Sequence, residues 1–157
     1  SRSAGARHDS WRRGRPPRVV LLRALLETEG TVLIDRGAGG EEAERVERAV
    51  ARRGAHPPGR VRMWNGAFAP FAASVAASRL YAGYDSAGGH VAAACGVPLV
   101  SVFAGFPGLR MFHRWQPSGP GPKEVIRVDR PDPGEVIREV RSALGRLGKT
   151  RATAVRR

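Results

Sequence analysis

RLYAGYDSAGGHVAAACGVPLVSVFAG, residues 79–105, decides the fold. RLYAGYD (79–85) reads as a strand, GGHVAAAC as a helix of very small residues closed by Gly96, and PLVSVFAG (98–105) as an apolar strand. The helix opens with a carboxylate, two glycines and an imidazole directly after a strand. That placement is the puzzle of the sequence.

The same alternation continues on both sides. PPRVVLLRALLETEG (16–30) has helical spacing and stops at Gly30, and TVLID (31–35) is a short strand. RGAGG (36–40) is a loop. EEAERVERAVARRGA (41–55) is an amphipathic helix with acids in its first turn and arginines in its last, as the helix dipole favours. VRMW (61–64) reads as a strand. AFAPFAASVAAS (67–78) reads as a helix, with Pro70 tolerable in its first turn. FPGLRMFHRWQPSGPGPK (106–123) reads as one long Gly/Pro loop, EVIRVD (124–129) as a strand and DPGEVIREVRSALGRLG (132–148) as a terminal helix. Strands alternating with helices predict an α/β domain: a Rossmann-like parallel sheet with helices on both faces. In such sheets ligands sit beyond the carboxyl ends of the strands.

Composition narrows the class. The 157 residues suit one domain with a real core, and 41% hydrophobic content is that of a globular chain. No apolar run approaches the roughly 20 residues of a membrane span, and the N-terminus has no signal-peptide pattern. The single cysteine, Cys95, excludes an internal disulfide and a cysteine metal cluster, and its alanine-rich surroundings predict a small buried residue. The net charge of +13 raises a nucleic-acid reading, yet residues 1–18 carry +5 and residues 149–157 carry +4 of it. The excess therefore lies mostly in two tails, so nucleic acid is not the expected partner. This divides the chain into a basic lead (1–15), a domain (16–148) and a basic tail (149–157).

Three segments carry candidate chemistry. In the first, Asp85 ends a strand and Ser86, Ala87, Gly88, Gly89 and His90 lead into a helix. The first N–H groups of a helix lack partners within it and attract anions, and glycine lets a ligand approach backbone closely. A diphosphate fits there, with Asp85 facing hydroxyls and His90 donating a hydrogen bond; a simple helix cap and tight turn is the competing reading. In the second, Gly37 and Gly39 suggest a dinucleotide fingerprint, but Glu42 occupies the third glycine position beside Glu41. A carboxylate binding ribose hydroxyls fits better than a dinucleotide fingerprint, and ordinary compensation of the helix dipole is the competing reading. In the third, Arg110 and Arg114 could clamp a diphosphate bidentately, with Trp115 covering a ring; solvated loop arginines with Trp115 tucked into the sheet edge are the competing reading. Metal ligands at suitable spacing are missing, as are the common hydrolase and P-loop motifs.

Asp85-Ser86-Ala87-Gly88-Gly89-His90, followed by Val-Ala-Ala-Ala-Cys-Gly-Val-Pro and an apolar strand, resembles the D-[ST]-G-x-x-H-x-x-A-A-x-x-x-P signature of the lipopolysaccharide heptosyltransferase family. The likeness extends over roughly residues 11 to 147. It departs at Ala87, where the family has Gly, and at Ala104-Gly105-Phe106-Pro107, where it has Gly-Pro-Thr. The resemblance implies one half of a GT-B glycosyltransferase, the domain that holds a nucleotide-diphosphate sugar. It would place the diphosphate and sugar on residues 85–90, the ribose near Glu41 and the base near Gly66. The acceptor would be a glycan or glycolipid hydroxyl. No separate cofactor, metal or catalytic residue is implied in this half, because the family's catalytic base comes from the other domain; this piece alone would be inactive. The implied location is cytoplasmic, with arginine-rich tails able to dock on an anionic inner membrane surface. Two alternatives remain: a non-enzymatic basic module binding nucleic acid, and another nucleotide-binding α/β domain such as a dehydrogenase fragment.

Overall fold

The computed structural model of the chain describes residues 19–37, 39–52, 56–106, 108–129 and 132–155. The basic lead, residues 1–15, lies outside the described residues. The order is α1 (Val19–Leu26), β1 (Val32–Asp35), α2 (Gly40–Ala51), β2 (Val61–Trp64), α3 (Phe68–Ala76), β3 (Tyr81–Tyr84), α4 (Ala87–Ala94), β4 (Leu99–Ala104), α5 (Leu109–Arg114), β5 (Lys123–Val128) and α6 (Pro133–Val155). The class is α/β, with every strand pair parallel.

β4 is the centre. All six of its residues are buried, because it is paired on both edges and covered on both faces. Val100, Val102 and Ala104 meet α1 and α6 through Val20, Leu21, Ala24, Val136, Val140 and Ala143. On the other face Leu99 meets Phe71 and Val75 of α3 and Ala92 and Ala93 of α4. This period-two division is what a doubly covered parallel strand requires. Two bidentate ion pairs tie α6 to its neighbours: Arg146 donates to Glu124 of β5 at 2.9 and 2.8 Å, and Arg141 donates to Glu27 beyond α1. The hydrogen bond from Arg146 holds the Glu124 carboxyl below its ordinary range.

The α/β architecture of parallel strands flanked by helices is as expected, and it is laid out as two sheets: β1 and β2 pair as a two-stranded sheet, and β3, β4 and β5 as a three-stranded one. Three expectations are corrected. The segment 106–123 is not wholly loop, because Phe112 is buried against Phe103, their rings edge-on at 5.3 Å, and that anchor supports the short helix α5. The terminal helix does not stop at 148 but runs to Val155, into the segment set apart as a basic tail. Cys95 is exposed, since the buried side of α4 is formed by Gly88, Gly89, Ala92 and Ala93 and the chain turns outward at its end.

Candidate functional site

The strand ends carry the site. β3 stops at Tyr84, Asp85 follows half-buried, and the Asp85 N–H donates to the Val102 carbonyl at 3.3 Å. Ser86 is the residue before α4, with extended backbone, and its side chain does not cap the helix. Its hydroxyl instead lies 2.9 Å from the Tyr81 hydroxyl. The Ser86 side chain therefore takes none of the first-turn amides of α4, the donors an anion would take. Gly89 N–H donates to the Ser86 carbonyl at 3.1 Å.

Tyr81 also explains a glycine. A Cβ on Gly88 would stand 2.6 Å from the Tyr81 hydroxyl oxygen, and one on Gly83 would stand 2.7 Å from it. The ring thus needs both positions bare. Gly88 and Gly89 are both buried, and Gly89 lies near Pro117 and Tyr81. The sequence assigns bare glycine to ligand approach; in the fold, packing of Tyr81 supplies a reason for Gly88. Ser86 keeps hydrogen-bonding capacity beyond its Tyr81 contact, since a hydroxyl offers one donor and two acceptor lone pairs. His90, one turn into the sequence of α4, is exposed.

Asp85, Ser86, Ala87 and Gly88 line a cavity of about 720 Å³, a size within the usual range of small-molecule pockets. Its polar rim continues on the other side with Asp35, Gly37 and Glu42. Gly37 has φ +85°, and its Cβ position is filled by the Glu42 side chain. The Asp35 carboxylate accepts the Gly37 N–H at 3.0 Å. These three residues form a small acidic corner facing the start of α4 across the cavity.

The remaining predicted residues lie apart from it. Glu41 is on the outer side of α2, paired with Arg45 at 2.9 Å, and does not line the cavity. Glu42 is the carboxylate that does, and helical phase was the available signal: it shares a side with Val46, Ala49 and Val50, all of which line the cavity. Gly66 follows β2 and is exposed, with the Trp64 indole beneath it: a Cβ there would stand 3.1 Å from that ring. Trp64 Nε1 is buried and has no hydrogen-bond partner among the described residues. Arg110 and Arg114 are both exposed on α5 and are not part of the cavity lining. Trp115 is 49% exposed, so it is not tucked against the sheet edge.

Among the described residues no group of three or more His, Cys, Asp or Glu side chains is arranged to hold a metal ion. Among those residues, too, no helix is long and apolar enough to cross a membrane. Comparison with protein-family models, with curated proteins and with solved structures gives no match.

Proposed function

We propose that this chain is the donor-binding domain of a heptosyltransferase-like glycosyltransferase and binds a nucleotide-diphosphate sugar. The observation that carries the reading is the start of α4: a helix without a side-chain cap, placed at the carboxyl end of β3 and bordering a 720 Å³ cavity. The amides of Ala87 and Gly88 and the hydroxyl of Ser86 would take the diphosphate. Asp85 would face sugar hydroxyls, since its charge would repel a phosphate set directly against it. His90 would donate from the solvent side. The acidic corner of Asp35 and Glu42 would take the ribose hydroxyls, a role the sequence assigns to Glu41. Gly66 would border the base, and Arg110 and Arg114 would approach the diphosphate only after α5 moves toward α4.

Such a site stabilises the diphosphate as it leaves, which is half of inverting sugar transfer. The other half is a base that deprotonates the acceptor hydroxyl; in this reading it comes from a second domain, and the acceptor is a glycan or glycolipid. The protein would then work in the cytoplasm, its basic surface resting on the anionic inner leaflet.

Calorimetric titration with ADP, UDP, GDP and NAD tests the reading. A nucleoside diphosphate should release heat, and Gly89→Asp should remove it by placing a charge in the first turn of α4. His90→Ala should weaken binding by about tenfold or more, the value of one hydrogen bond to a charged group. Heat from NAD alone would favour another nucleotide-binding domain. Strongly salt-dependent binding to any polyanion, unaffected by Gly89→Asp, would favour a basic nucleic-acid module.

A further inference from the structure

The two sheets are separated by a cavity that one strand of each borders. All four residues of β1 and all four of β3 line the cavity, yet the two strands belong to different sheets. In a parallel ladder successive residues present their backbone groups to opposite edges. Val32 and Arg36 donate toward β2, to the carbonyls of Arg60 and Trp64, so the Leu33 amide is on the opposite edge, toward the cavity. Tyr81 and Asp85 donate toward β4, to the carbonyls of Pro98 and Val102, so the Ala82 amide is on the cavity edge of β3. The cavity is therefore walled by two parallel strand edges. Its other walls are apolar: Leu21, Leu22 and Leu25 of α1 on one side, Phe71 and Val75 of α3 on the other.

We infer that this slot receives an extended apolar polypeptide segment as a parallel strand between β1 and β3, joining five strands into one six-stranded sheet. Two backbone edges at once are what a strand satisfies. A helix has already used its backbone groups internally, and a compact ligand cannot match donors and acceptors repeating along both sides.

Chain direction gives the segment its place. β1 passes through α2 to β2, and α2 lies beside α1, where Arg23 donates to the Arg52 carbonyl at 3.2 Å. Parallel crossovers are right-handed, so successive crossovers on one face advance in one direction. A strand crossing through α1 into β1 therefore lies on the side of β1 away from β2, which is the slot. The occupant has the topological position of the strand that feeds α1. Residues 1–18 include six arginines and no apolar run, which does not match apolar walls; the segment is one from outside these 157 residues. The slot is the strand-lined body of the cavity whose rim, at Asp35 and Asp85–Gly88 beyond the carboxyl ends of β1 and β3, the nucleotide-sugar reading uses; a strand in the body leaves that rim open, and this inference does not depend on that reading.

Amide hydrogen exchange on the full chain, with and without the peptide Lys-Lys-Val-Val-Ile-Val-Val-Lys-Lys, tests it. The peptide should slow exchange at Leu33 and Ala82 by about tenfold or more, since hydrogen-bonded amides exchange only on opening. A spin label on the peptide N-terminus should broaden Val32 and Tyr81 more than Asp35 and Tyr84, as a parallel strand requires. The same peptide methylated on alternate amides should give no protection. Four results would each overturn the inference: no protection by the unmodified peptide, equal protection by the methylated one, slow exchange at Leu33 and Ala82 in the chain alone, or protection that appears only as the chain dimerises. The first three deny an open strand slot, and the last makes a second copy the occupant.

Discussion

β1 and β4 are both short, apolar, parallel strands, yet one is half open and the other sealed. VLID alternates between half-buried and exposed, with Leu33 42% exposed, whereas every residue of LVSVFA is buried. Residue type does not account for this. β4 has a partner on each edge and helices on each face; β1 has one partner and borders a cavity. A strand's burial is thus set by its neighbours, and the three-stranded sheet is where this fold holds its stability.

The comparison can be broken most sharply by buried charge. Val100→Asp should prevent folding, because an unpaired carboxylate in the interior costs several kcal/mol, while Leu33→Asp should leave a cooperatively folded chain. Far-ultraviolet circular dichroism with thermal melts separates the two outcomes. Next in size, Phe103→Ala should cost about 3–5 kcal/mol, through lost burial and the cavity left behind. Leu33→Ala should cost less than about 1 kcal/mol, by urea denaturation, because its side chain already meets solvent. Equal losses at the two positions would show that the two sheets are sealed alike.

A smaller effect sharpens the reading of the site. Gly88→Ala should destabilise the chain by about 1–3 kcal/mol, the usual range for overpacking, because the new methyl meets the Tyr81 phenol. In a Tyr81→Ala background the same substitution should cost much less, and that non-additivity is measured by a double-mutant cycle. Additive losses would mean that Tyr81 is not the reason for glycine at 88. Smallest is the pH response of the β5–α6 ion pair. Glu124 has its carboxyl pKa lowered by the hydrogen bond from Arg146. Its stabilisation is complete above the ordinary carboxyl range and is lost as pH falls through the lowered value. Glu124→Gln should therefore flatten the decline in melting temperature on acidification, with little change in that slope at neutral pH.

Much of the fold was legible because periodicity and punctuation are local. VRMW coincides with β2, Gly96 has the positive φ of +72° that ends α4, and the other strands differ from expectation by a residue or two at their ends. α5 was hidden because it has only six residues between glycines and prolines, and Phe112 holds it through a contact with Phe103, nine residues earlier on β4. At the site, the segment 85–90 could be found from a carboxylate and glycines following a strand. Tyr81 could not, because its link to Ser86 and Gly88 depends on how β3 lies beneath α4.

By itself the sequence determined the order and kind of the elements, since hydrophobic period, glycine stops and helix-end charges act within a few residues. The tertiary structure alone decided which strands pair, that Tyr81 meets Ser86 and Gly88, and that β1 and β3 stand apart. Those outcomes depend on backbone edges and side-chain faces meeting across long stretches of chain, and no local pattern encodes such meetings.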